Sequence, residues 1–166
     1  IFGCWMSSSR KAVKPIVEEH NSLLWYAVQY EGLEESRNII YTGSCLNQQV
    51  EPAVSWTLSQ RKQRCFLVGS DYVFPRTANS VIRALVSRGG GCVVGERYLP
   101  LGSHDLTEIA DAIAKARPEA VFNTINGDSN LAFFREFSKV VGDAADCPIM
   151  SFSLTETSLD EVPREA

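Results

Sequence analysis

The strongest constraint on the fold lies between residues 65 and 152, where short apolar runs alternate with stretches of helical spacing. Residues 76–88 put Ala78, Val81, Ile82, Leu85 and Val86 on one face, with arginines at both ends. Leu106, Ile109, Ala110, Ile113 and Ala114 form a second stripe behind "DLTE", which has the shape of a capping box, and Pro118 ends it. Residues 129–141 form a third helix, rich in Phe133, Phe134 and Phe137. The apolar runs from Cys65 and over 93–98, 120–124 and 148–152 read as strands. Strand-helix alternation with short connections argues an α/β fold, a parallel sheet of four strands taken in sequence order and covered by helices on both faces.

The earlier part repeats the pattern more loosely. Residues 1–4, 23–26 and 39–42 read as strands, and 9–21 and 50–60 as helices. Pro15 stands near the first turn of its helix or kinks it. The polar stretch 27–38 is long for a connection, and long loops in compact domains are often functional. The run "SQRKQR" at 59–64 has no apolar residue and marks a division into 1–62 and 63–166, although a solvated helix end would look the same.

Composition removes several classes of function. The 166 residues are 45% hydrophobic and 22% charged, enough to bury a core. Sixteen Lys and Arg stand against twenty Asp and Glu, without a basic stripe, so the electrostatic footprint of a nucleic-acid binder is missing. The triple glycine 89–91 follows a helix, whereas phosphate loops precede one, and it reads as a turn. Five scattered cysteines and two histidines lack zinc spacing, so neither a metal nor a cofactor is expected. Cys65, Cys92 and Cys147 read as small hydrophobes at strand starts.

Open parallel sheets bind ligands beyond the carboxyl ends of their strands. Those positions hold Trp5 and Ser7 after the first strand, and residues 26–31 after the second. Ser70, Asp71 and Tyr72 follow the strand of "FLVGSDYVFPR", and Asn126 to Ser129 that of "VFNTINGDSN". Rings with hydroxyl, amide and carboxylate neighbours suit a small, flat, polar and mostly neutral molecule. Glu31, Asp71 and Asp128 would equally suit a cation, and Asp128 and Ser129 read just as well as helix caps.

The segments "GCWMSSSRKAV", "LLWYAVQYEGLEES", "NQQ", "FLVGSDYVFPRTAN", "YLPLG" and "VFNTINGDSNLAFF" together resemble the urea- and short-chain-amide-binding proteins of ABC transporters. These are type I periplasmic binding proteins, a group that includes amide-sensing regulators. The resemblance runs to about Glu156. It implies a clamshell of two parallel α/β lobes that closes by a hinge on a buried ligand. It makes Ser7 a hydrogen-bonding partner of the ligand carbonyl, and Trp5, Tyr26 and Tyr72 aromatic walls, with Phe74 close behind. Val28 and Gln29 stand where amide-binding members carry Thr-Pro, and Gln29 offers both a donor and an acceptor. Asn126 and Asp128 close from the second lobe. Glu31 and Asp71 support the loops, Asp71 by accepting backbone N–H bonds.

Ala27, Arg37 and Leu46 replace prolines usual in that group. The resemblance also implies strands before Ile1 and a return through the hinge after Ala166, so the chain is expected to be a partial fragment of the clamshell. An exposed sheet edge in an incomplete first lobe predicts self-association. The implied function is solute capture for an ABC-transporter permease, outside the cytoplasm. The alternative is the sensing domain of a larger signalling protein, or of a cytoplasmic regulator. An amidohydrolase using Cys4 or Ser7 is a third reading. It requires a base within hydrogen-bond reach, which neither His20 nor His104 offers, so no enzyme is expected.

Overall fold

The computed structural model describes residues 1–141 and 146–162. In chain order the elements are α1 (Ser7–Glu19), β1 (Leu24–Tyr26), β2 (Ile39–Tyr41), α2 (Leu46–Ser59), β3 (Arg64–Ser70), α3 (Val73–Arg88), β4 (Cys92–Leu99), α4 (Thr107–Ala116), β5 (Ala120–Thr124), α5 (Ser129–Val141) and β6 (Ile149–Ser151). A 3-10 turn, Glu156–Glu161, follows. All strand pairs are parallel, which establishes the α/β class with helix-flanked sheets.

The four-stranded sheet runs β4-β3-β5-β6, which corrects the expected sequence order. The centre goes to the most apolar strands: β5 is buried throughout and β3 at all but its first residue. β4, with Glu96 and Arg97, is left at an edge. The chain therefore winds outward from β3 to β4, then crosses back to β5. The reversal opens a crevice between the carboxyl ends of β3 and β5.

Alternation along β3 separates two cores. Phe66 and Val68 face Ile109, Ile113, Phe133 and Phe137 of α4 and α5. Cys65 and Leu67 face the other way, toward Val50 and Val54 of α2 and Phe74, Ala78 and Ile82 of α3. Packing thus groups α2 with this sheet, although the compositional division at 62/63 lies beyond it. Of the three cysteines expected inside, Cys65 and Cys147 are buried but Cys92, on the edge strand, is exposed.

The first region is thinner. β1 and β2 pair over three residues, and residues 1–4 contribute one isolated bridge, Phe2 to Trp25, where a strand is expected. Among the described residues one apolar cluster forms here, with Val17, Leu24, Tyr26 and Ile39 at its centre. Trp25 and Ile40 point away from it, and Phe2 stacks on Trp25 in the open. Helix α1 starts at Ser7, two residues early, so Pro15 is interior. It supplies no N–H to the carbonyl four residues back. α3 likewise starts at Val73, which puts Pro75 in the first turn, where no intrahelical partner for its N–H is needed.

Candidate functional site

A cleft of about 630 Å³ lies where the two sheets' strand ends meet, a volume within the range of small-molecule sites. Trp5, Ser7, Tyr26, Val28, Gln29, Tyr72, Phe74, Asn126 and Asp128 all line it. Glu31 and Asp71 do not. The backbone crosses between regions at Thr42 to Ser44, against Val28 and Gln29. A Cβ on Gly43 would sit 2.1 Å from the Val28 carbonyl oxygen, so only glycine permits the crossing.

The first region's side is fixed from behind. Arg10 of α1 is fully buried, donating at 2.8 Å to Glu31 and at 2.8 Å to Glu34. Its guanidinium lies 4.8 Å from the Tyr26 ring centre and 5.5 Å from that of Tyr30. Tyr41 donates its hydroxyl to Glu34. This cluster pins the 27–38 loop to α1. Burial opposes ionisation of Glu31, but Ser7 and Arg10 outweigh it and hold the carboxyl below the usual range. Ser7 Oγ, although beside Glu31 and Tyr26, makes no well-aligned hydrogen bond among the described residues and is buried on the cleft wall. The Gln29 amide donates to Ser153 Oγ at 3.1 Å, so one of its two N–H donors is already engaged. Trp5 is 76% exposed and forms a lip, where a wall is expected.

On the second side, Asn126 N–H donates to Ser70 Oγ at 3.0 Å, tying the ends of β3 and β5 together across the crevice. Asn126 also donates its side-chain amide to the Tyr72 hydroxyl oxygen, leaving the phenolic O–H free to donate. Burial pushes the Tyr72 hydroxyl up to about 12, against the opposing effect of that bond, so it stays protonated. Gly127 at φ +68° turns the chain into α5 and presents Asp128 in the open. Asp71 departs from the expectation. Its N–H donates to Leu99, while its carboxylate pairs with Arg76 at 2.6 Å on the exposed surface and accepts no backbone N–H among the described residues.

Several lining residues escape the sequence reading. Gln49 of α2, Phe152 to Thr155 beyond β6, and Asn130 of α5 all face the cleft. Gln49 Oε1 and Asn130 Nδ2 are buried without partners among the described residues. Helical spacing offers a signal for Asn130, which shares the face of Phe133, Phe134 and Phe137 at i+3, i+4 and i+7. Arg10 likewise shares a face with Val13 and Val17. Among the described residues none lining the cleft is Lys, Arg or His, and no group of three acidic, Cys or His side chains is placed to hold a metal. No helix of the described residues is long and apolar enough to cross a membrane.

A family model for the periplasmic binding protein domain matches residues 1–166. Among solved structures, a solute-binding protein of an ABC transporter from R. palustris, in complex with 4-hydroxybenzoate, aligns at 22% identity and a TM-score of 0.86. The alignment covers 96% of this chain and 45% of that one. A solute-binding protein from Rhodopseudomonas palustris HaA2 with p-hydroxybenzoic acid aligns at 20% identity, TM-score 0.85, covering 99% and 46%. A branched-chain amino acid ABC transporter periplasmic ligand-binding protein from Burkholderia xenovorans LB400 aligns at 16% identity, TM-score 0.76, covering 95% and 43%. This chain thus spans less than half the length of these matched proteins.

These findings correct the expectation of a partial fragment, an unfinished piece of a clamshell. The matched stretch is continuous across this chain, and its described residues pack as an α/β unit around three apolar clusters. They also set the level of kinship: these matched structures carry aromatic acids or are named for amino acids, and the urea and amide likeness is narrower than they reach. The chain belongs to the periplasmic binding protein domain family.

Proposed function

We propose that this chain is a non-catalytic solute-binding module that captures urea or a small aliphatic amide for uptake through an ABC-transporter permease. Residues 1–62 and 63–166 supply the two sides of the site. The observation that carries this reading is the chemistry of the cleft wall: aromatic rings, hydroxyls and amides, one exposed carboxylate, and no basic side chain among the described residues. A neutral ligand with a carbonyl and N–H groups matches that wall. The Tyr72 O–H and Ser7 hydroxyl are available to the carbonyl. Gln49 Oε1, a buried acceptor lacking a partner, is available to an N–H. An amide needs no counter-charge, so the missing cation costs it nothing.

A second reading has a specific observation in its favour. The matched R. palustris proteins hold hydroxybenzoates, and this cleft carries Tyr26, Tyr72, Phe74 and Phe152. An aromatic acid would set its carboxylate on the N–H groups at the start of α1, where Ser7 opens the helix. Calorimetric titration with urea, acetamide, 4-hydroxybenzoate and leucine separates the two. Heat with urea or acetamide alone supports the amide reading, and heat with only the two carboxylates overturns it.

A further inference from the structure

We infer that Asn130 sets ligand specificity as a fixed hydrogen-bond donor on the second side of the cleft. The inference rests on the reading of the cleft as a solute site, but not on the choice of amide over acid. Asn130 stands in the first turn of α5, is 3% exposed and lines the cleft. Its orientation follows from a chain of bonds that begins at the backbone. The Ile125 N–H donates at 2.9 Å to the Asn123 side chain, which must therefore present its oxygen there. The other end of the Asn123 amide is then its nitrogen, and it donates at 2.7 Å to Asn130. Asn130 accepts with its oxygen, so the group left over is the NH₂. A main-chain donor thus fixes the amide orientation of both side chains.

That leftover donor has no partner among the described residues, and its atoms are shielded from solvent. Buried donors are nearly always satisfied in folded proteins, and an exception at a cleft wall points to a group that arrives from outside. The ligand class follows from the sign of the dipole. A donor held rigidly selects an acceptor atom, a carbonyl oxygen of an amide or an oxygen of a carboxylate. It rejects a ligand that offers only N–H groups at that place. Asn123 is a positioning residue in this arrangement, since it acts only through Asn130.

The test compares the parent with Asn130→Asp and Asn130→Leu by titration with urea, acetamide, 4-hydroxybenzoate and leucine, with thermal melts alongside. Asn130→Asp keeps an oxygen for Asn123 and exchanges the free donor for an acceptor; Asn130→Leu removes the donor without adding charge. Both should lower affinity for whichever probe the parent binds by about five- to a hundredfold, the usual loss for one buried hydrogen bond. If that probe is a carboxylate, Asn130→Asp should lose more than Asn130→Leu, because like charges then meet; if it is urea or acetamide, the two losses should be similar. A folded variant of either kind that binds as tightly as the parent overturns the donor role. A parent that binds only 4-hydroxybenzoate or leucine overturns the amide reading and leaves the donor to be judged on that acid. A parent that binds none of the four overturns both.

Discussion

The two sides of the cleft are held rigid by different physics. The second rests on apolar packing, with each face of its sheet covered by two helices and filled by branched and aromatic side chains. The first has a two-stranded sheet, one small apolar cluster and, beside it, a fully buried arginine clasped by two carboxylates and two rings. A short sheet offers too little apolar area to hold a twelve-residue loop, about 25 cal/mol for each Å² buried. Charge does that work instead. The 27–38 loop, which brings Gln29 to the cleft, therefore depends on ionisation states. Ser70, Tyr72 and Asn126 depend on shape.

The sharpest way to break this comparison is Arg10→Met, which keeps most of the side-chain volume and leaves the buried Glu31 and the partly buried Glu34 without their cation. Removing one partner of a buried pair costs about 3–5 kcal/mol, and urea denaturation should show a loss of that size. The pH dependence should also weaken. In the parent, Glu31 ionises below its ordinary range when folded, so its contribution is complete above that range and is lost as pH falls through the folded value. Without Arg10, only Ser7 and a backbone N–H oppose the burial of Glu31, so its pKa should rise and the variant should lose less stability than the parent as pH falls. A variant whose acid limb matches the parent's would show that the cluster is decorative.

The second region answers with a smaller effect. Ile82 of α3 is fully buried against α2 and the central strands. Ile82→Val removes one methylene and should cost about 0.5–1.5 kcal/mol by denaturant unfolding, with ligand affinity unchanged. A loss as large as that of Arg10→Met would erase the contrast between the two sides.

The same contrast governs what the sequence discloses. Alternation along residues 65–152 announces helices, strands and their parallel pairing, because a region built on apolar packing writes its periodicity into the chain. Strand order stays hidden, since periodicity is blind to which strand is central; the polar Glu96 and Arg97 of β4 were the available hint. In the first region, the residue that organises the loop is a lone Arg in a helix, and its partners lie 21 and 24 positions away. The cleft residues at strand ends were visible from the rule that ligands gather there. Asn130 and Gln49 were not, because each sits inside a helix whose other residues read as packing. Phe152 and Ser153 reach the cleft only through the placement of β6 beside β5, a tertiary fact.

The smallest effect is expected at Asp71, although it adjoins Tyr72 in the most suggestive stretch of the chain. From sequence, a carboxylate at a strand-helix junction reads as a loop anchor whose loss would lower the melting temperature. Its actual partner is the guanidinium of Arg76, one turn into α3, and both side chains are about half exposed. The Asp71 carboxyl is held below its ordinary range by that hydrogen bond, yet water and salt screen such pairs. Arg76 has a second contact to lean on, lying 4.3 Å from the Tyr98 ring centre. The turn itself is tied by main-chain bonds, Asp71 N–H to Leu99 and Tyr72 N–H to Ser70, that a side-chain change leaves in place. Asp71→Ala should therefore leave both the melting temperature and the ligand titration where they are in the parent. Tyr72→Ala, one residue along, removes a cleft-lining hydroxyl and should weaken binding by about fivefold or more. If Asp71→Ala shifts the melt as Ile82→Val does, an exposed pair is anchoring the crevice, and the second side is not held by packing alone.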